Sequence, residues 1–174
     1  MSKAVMVSIR PKWCEKIING DKTIEVRKTR PKIDTPFKCY IYCTLQGCND
    51  FFRVDLGGDV AKWNRGKWAD RKGKVIGEFT CDRIDRLAPE NDSYGIYDID
   101  DDYVFQTCLE NGALWDYGHG TPLYGWHIPD LRIYDKAREL SEFTGLRNTR
   151  FGAAPYDIKR APQSWCYVEA MNNG

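Results

Sequence analysis

The stretch from Ser8 to Arg30, S-I-R-P-K-W-C-E-K-I-I-N-G-D-K-T-I-E-V-R-K-T-R, changes its period part-way along, and this restricts the fold most. Pro11 suits a first helical position, where its missing N–H costs nothing. Cys14, Ile17 and Ile18 recur at i, i+3 and i+4 and give one apolar helix face. Gly20 is the expected left-handed cap just past the helix end. Beyond the Gly20-Asp21 turn the pattern alternates, as in a strand. Ile24 and Val26 point to one face, and Thr23, Glu25 and Arg27 to the other. Lys22 sits at the joint. Glu25 and Arg27 are neighbours on one face, roughly 7 Å apart along the strand. The polar face has two readings. In one it is half-solvated and carries a single ion pair worth about 0–1 kcal/mol. In the other, Lys22, Thr23, Glu25 and Arg27 converge on a ligand where the helix ends and the sheet begins.

The remaining pattern reads as strands with few helices. Residues 4–9 are a short buried strand. Thr29 to Pro36, with two prolines and a cluster of charges, is a loop. Phe37 to Thr44 is a strand apolar on both faces, as suits a covered barrel strand. Lys74 to Leu87 is a second clear strand, in which Gly77 marks a bulge or a close backbone approach. Glu78 on it is either a cleft carboxylate or an exposed strand glutamate. An acidic connection leads to a helix over Asp100 to Asn111, with Val104, Phe105, Cys108 and Leu109 as its buried face and Gly112 ending it. Residues 113–122, with His119, read as a Gly-rich loop, and Tyr124 to Tyr134, with His127, as a strand. Residues 135–163 read as a loop-like tail with one short helical piece at most. Q-S-W-C-Y-V-E-A is a last strand lying beside the N-terminal one.

Composition excludes some classes. Hydrophobic residues at 42% and charged residues at 29% are ordinary globular values. No apolar run approaches a membrane span, and the N-terminus lacks the apolar core of a signal peptide, so a cytoplasmic protein with no membrane partner is expected. Seven cysteines are an odd number and read as free thiols. Cys39 and Cys43, on one strand, stand roughly 13 Å apart, too far to share a metal. Neither a metal nor any other cofactor is expected. The net charge of +1 hides a segregated pattern. Residues 1–38 carry ten Lys/Arg against four Asp/Glu, and residues 62–74 carry six basic residues against Asp70 alone. Basic blocks of this kind permit nucleic-acid binding without requiring it.

G-D-K-T-I-E-V-R resembles the G-x-K-T-x-E-x-R signature of the ASCH domain, a member of the PUA-like superfamily. S-I-R-P-K-W, V-I-G-E-F and Y-G-W-H-I-P-D-L are similar to further ASCH segments, so the resemblance spans about residues 4 to 134. A-P-Q-S-W-C-Y-V resembles the tail of bacterial and phage members. The resemblance implies an α+β fold, a PUA-like small mixed β-barrel with two or three flanking helices. It also implies a cleft beside the motif suited to a nucleotide or an RNA strand. The chain then reads as a single domain over 1–174, with an insertion at about 46–74 and a C-terminal extension at about 135–174.

Three functions follow from the resemblance. The first is an RNA- or nucleotide-binding module. Its cleft holds a base, Glu25 lies beside the ligand, and Lys22, Arg27 and basic loop residues meet phosphates. Arg10, Lys12, Trp13 and Trp165 form the rim, and Trp63 and Trp68 supply aromatic planes in the basic insertion. Trp13 also has a plain core reading. The second is a metal-independent hydrolase. One bacterial branch removes the acetyl group from acetylated cytidine with a lysine that activates a threonine, helped by a glutamate, and other members cleave RNA with the same lysine region. Lys22 matches that lysine, but Glu25 stands where the nucleophilic threonine falls, and a carboxylate offers no hydroxyl. Thr23 substitutes only if its side chain enters the cleft, and Glu110 is the candidate supporting glutamate. The third is a protein-interaction module in transcription or translation control.

Overall fold

Burial on both faces makes the first strand the middle of a sheet. The computed structural model describes residues 2–45, 70–90 and 95–171. Strand β1 (Lys3–Ile9) is buried from Ala4 onward, which explains its unbroken apolar run. Helix α1 (Pro11–Ile18) and strand β2 (Ile24–Arg27) follow as the period change predicts. Next come β3 (Phe37–Cys43), β4 (Lys74–Cys81), β5 (Ile84–Leu87), α2 (Asp101–Thr107) and α3 (Asn111–Gly118). The chain continues through β6 (Leu123–His127), β7 (Arg132–Arg138), a 3-10 turn at Leu140–Glu142, β8 (Thr144–Thr149), β9 (Gly152–Asp157) and β10 (Trp165–Glu169).

The fold is mixed α+β, and its contacts gather into two compact units. One comprises the described residues of Met1–Glu15, Lys38–Phe79 and Leu131–Gly174; the other comprises those of Lys16–Phe37 and Thr80–Asp130. The first unit is built on a seven-stranded sheet of order β7-β4-β3-β1-β10-β8-β9. There β1 runs parallel to β3 and antiparallel to β10, from Lys3↔Glu169 to Val7↔Trp165, so the last strand does lie beside the first. Met6, Tyr40, Val75, Phe143 and Val168 pack as its core, with Tyr40 and Phe143 edge to face at 5.0 Å. Glu78 is buried rather than exposed. Tyr134 Oη donates to its Oε2 at 2.5 Å, and Lys38 Nζ lies 3.3 Å from its Oε1.

The second unit carries an antiparallel three-stranded sheet of order β2-β6-β5. One core cluster there is Val26, Leu87, Tyr97, Leu114 and Leu123. The strands of the described residues thus form two separate sheets, and no closed barrel is found among them. Two chain segments read as single strands are each broken. Lys74 to Leu87 parts at Asp82-Arg83 into β4 and β5, and Tyr124 to Tyr134 parts between β6 and β7. Pro129 has no N–H to donate, and Asp130 takes a left-handed φ of 51°, so no ladder runs through that point.

Three further expectations are corrected. The helix expected over Asp100 to Asn111 is two helices. Cys108 ends α2 in the left-handed region, φ 55°, and Glu110 is extended ahead of α3. Phe105, expected in the buried face, is 75% exposed. The expected loop over 113–122 is mostly α3. The loop-like tail contains the β8–β9 hairpin, which joins β10 through Tyr167↔Leu146 and Val168↔Gly145. Most of that hairpin is exposed, so no apolar alternation marks it.

Six cysteines among the described residues are free thiols. No group of three or more His, Cys, Asp or Glu among the described residues is placed to hold a metal. No helix there is long and apolar enough to cross a membrane. Residues 46–69, which include Trp63, Trp68 and most of the basic insertion, lie outside the described residues.

Gly77 is a close-approach position, as its place in the strand predicts. The β4–β7 register shifts between Val75 and Gly77, and a Cβ at Gly77 would lie 2.5 Å from the Arg132 carbonyl oxygen. Backbone cannot swing aside as a side chain can. Gly77→Ala is expected to cost about 1–3 kcal/mol by urea unfolding. Gly112→Ala is the control: nothing lies within 4 Å of its Cβ in α3, so it should be neutral or slightly stabilising. Equal effects of the two would contradict the close approach.

Candidate functional site

The end of α1 aims the motif. Gly20, at φ 80°, turns the chain, and the Lys16 carbonyl accepts from the N–H groups of Asp21 and Lys22 at 2.9 and 3.0 Å. Thr23 is then pinned on both sides. Its N–H donates to the Gln106 carbonyl at 3.0 Å, and its own carbonyl accepts from Ile128 at 2.9 Å. Strand β2 pairs with β6 from Ile24↔His127 to Arg27↔Tyr124. Backbone bonds therefore fix where Lys22, Glu25 and Arg27 start.

Their side chains meet. Arg27 Nη2 lies 2.9 Å from Glu25 Oε1, and Lys22 Nζ lies 3.4 Å from Glu25 Oε2. The Lys22 ammonium also donates to the Thr107 carbonyl at 2.6 Å. That carbonyl belongs to the last turn of α2, where the helix dipole favours a cation. The three side chains are 1%, 8% and 10% exposed for Lys22, Glu25 and Arg27. This rules out the half-solvated strand. A buried charge costs several kcal/mol unless paired, and here one carboxylate serves two cations. The array keeps a formal excess of one positive charge. Tyr117 of α3 stands within its field: burial pushes the phenol up, Arg27 draws it down and Glu25 raises it.

Neither Thr23 nor Glu110 joins the array. Thr23 is exposed, and its hydroxyl donates to Gln106 Oε1 at 3.4 Å rather than joining the array. Glu110 is exposed ahead of α3 and its side chain caps nothing. Arg10, Lys12 and Trp13 belong to the first unit, where Lys12 Nζ sits 4.6 Å from the Trp13 ring centroid. Trp165, also of that unit, is half-buried and packs edge-on against Tyr167 at 5.3 Å.

Sequence reasoning missed several neighbours. Thr107 lies 85 residues from Lys22 in the chain and carries no local signal. His127 pairs with Asp85 at 2.6 Å, and Arg83 Nε approaches the same ring nitrogen at 3.2 Å. Immediately past β2 opens a hollow of about 510 Å³, bordered by Lys28, Arg30, Lys32, Asp34 and Tyr124 among others. The cluster of charges in that loop is visible in the sequence; its concavity is not.

The sequence matches no protein-family model and no curated protein. Solved structures do match. The ASCH protein of Zymomonas mobilis aligns at a TM-score of 0.51 and 17% identity, over 95% of this chain and 87% of that one. A serine-to-alanine mutant of ZmASCH from the same organism aligns at 0.51 and 16%, over 95% and 88%. These likenesses define the class first: a mixed α+β fold. Within that class, the chain has the ASCH domain fold.

Removing the shared carboxylate deprives two buried cations of their common counter-charge. Glu25→Gln is expected to lower unfolding stability by about 3–5 kcal/mol. Thr23→Ala, at an exposed site, should cost under about 1 kcal/mol. Urea unfolding of both variants gives the comparison, and a Glu25→Gln cost no larger than that of Thr23→Ala would refute the buried array.

Proposed function

We propose that this ASCH-fold chain binds single-stranded RNA or a nucleotide beside strand β2. The observation that carries the proposal is the convergence of Lys22, Glu25 and Arg27 into one rigid, net-positive array at the head of a basic loop. The array holds β2 and the start of the loop that follows it rigid, and that rigidity lowers the ordering cost of binding an anion at the loop. The adjoining exposed cations Lys28, Arg30 and Lys32 extend the positive field to the surface.

The hydrolase reading assigns the chemistry to Lys22, Thr23, Glu25 and Glu110, and needs a hydroxyl beside the lysine. Lys22 is instead engaged by Thr107 and Glu25, and the Thr23 hydroxyl by Gln106. These contacts favour binding over hydrolysis.

Titration of fluorescently labelled oligouridine against the full chain at several salt concentrations tests it. Affinity should fall with salt, with a log–log slope of about −0.7 for each phosphate contact. Absence of binding at about 50 mM salt, or a flat response, would contradict the proposal. Release of acetate from acetylated cytidine, abolished by Lys22→Ala, would move the function to hydrolysis.

A further inference from the structure

The hollow past β2 has the chemistry of a phosphate site. Three cations border it, Lys28, Arg30 and Lys32, against one acid, Asp34. All three cations are exposed, while Pro31 between the last two is buried and anchors the loop. With φ fixed by its ring, Pro31 also limits the conformations the loop has to lose on binding. Lys28 is further positioned by Tyr117: its ammonium lies 4.9 Å from that ring centroid. Arg30 offers the planar fork that matches two phosphate oxygens at once.

Lys22 and Arg27 are poorly suited to the same task. Both are almost wholly enclosed, and both already face Glu25. An anion approaching β2 from solvent meets the loop cations first. The array instead fixes the strand from which the loop departs, since Arg27 immediately precedes Lys28.

The hollow has an aromatic wall as well. Tyr124, half-buried, is the cross-strand partner of Arg27 and borders the cavity. A tyrosine ring beside cations suits a base stacked next to its phosphate. The volume of about 510 Å³ falls within the usual range for small-ligand sites, roughly 300–1,000 Å³.

From these observations we infer that the loop Lys28–Asp34 with Tyr124 is the phosphate-binding subsite for a nucleotide unit. Lys28, Arg30 and Lys32 contact the phosphate, Tyr124 stacks on the base, and the Lys22–Glu25–Arg27 array is a positioning element. The inference rests on the RNA- or nucleotide-binding reading and says where in this chain the phosphate goes.

The test compares the full-length wild type with Arg30→Ala/Lys32→Ala and with Lys159→Ala/Arg160→Ala, an exposed basic pair outside this unit. Thermal unfolding checks that each variant is folded. Oligouridine binding should weaken at least about tenfold in the loop variant, with the salt slope reduced by about 1.4 for two lost contacts. The control pair should change affinity less than about twofold. Uridine 5′-monophosphate and uridine, titrated separately, distinguish the phosphate source. Saturable binding of the monophosphate alone, lost in the loop variant, assigns the site to a terminal phosphate. A response confined to the strand assigns it to an internucleotide phosphate. Equal weakening by both variants would reduce the effect to general charge and overturn the subsite. Unchanged binding in the loop variant would overturn the subsite and leave the RNA reading standing. No binding of any of these probes by the wild type would overturn both.

Discussion

One carboxylate shared between two buried cations is the constraint on which the site depends. Glu25 cannot be buried alone, and neither can Lys22 or Arg27. Each is tolerated because the others are held within reach by backbone that has little freedom. The αL turn at Gly20, the two hydrogen bonds at Thr23 and the β2–β6 ladder supply that rigidity. The last turn of α2 completes it by accepting the Lys22 ammonium at Thr107. A cluster of this kind is weak evidence for stability, because well-packed apolar residues of similar volume often do as well. Its presence instead fits a role in holding charge and geometry at a chosen place.

The same economy runs through the second unit. Strand β2 is short, yet all four of its residues are buried. Glu25 and Arg27 lie opposite Trp126 and Tyr124, while Ile24 and Val26 lie opposite His127 and Gly125. Gly125 admits the Tyr103 hydroxyl where any Cβ would collide with it. The chain leaves this crowded strand into a loop that is exposed at its cations and buried at Pro31. Dense packing followed at once by presented charge is a common way to set polar groups on a rigid base.

Much of the fold was legible where local rules agree with packing. Pro11, the apolar face through Ile17 and the cap at Gly20 mark α1, and alternation marks β2. The apolar runs of β1 and β3 and the placement of β10 beside β1 were readable for the same reason. Misreadings fell where a backbone conformation had no residue to announce it. Cys108 and Asp130 take left-handed φ values without being glycine, so one expected helix is two and one expected strand is broken. The β8–β9 hairpin was hidden because exposed strands need no apolar alternation. At the site, the i, i+2 spacing of Glu25 and Arg27 showed that they could pair. Their burial was not readable, since charged strand residues normally face water. Thr107 and Tyr124 reach the site only through tertiary contacts, and spacing cannot report those.

If Lys22, Glu25 and Arg27 are one electrostatic unit, their contributions cannot be independent. A double-mutant cycle with Lys22→Met, Glu25→Gln and the double variant, followed by urea unfolding, measures this directly. The shared-carboxylate account predicts a coupling energy of about 1–3 kcal/mol, the double variant being less damaged than the sum of the singles. Additivity within about 0.5 kcal/mol would mean that the two groups do not sense each other, and the account would be wrong.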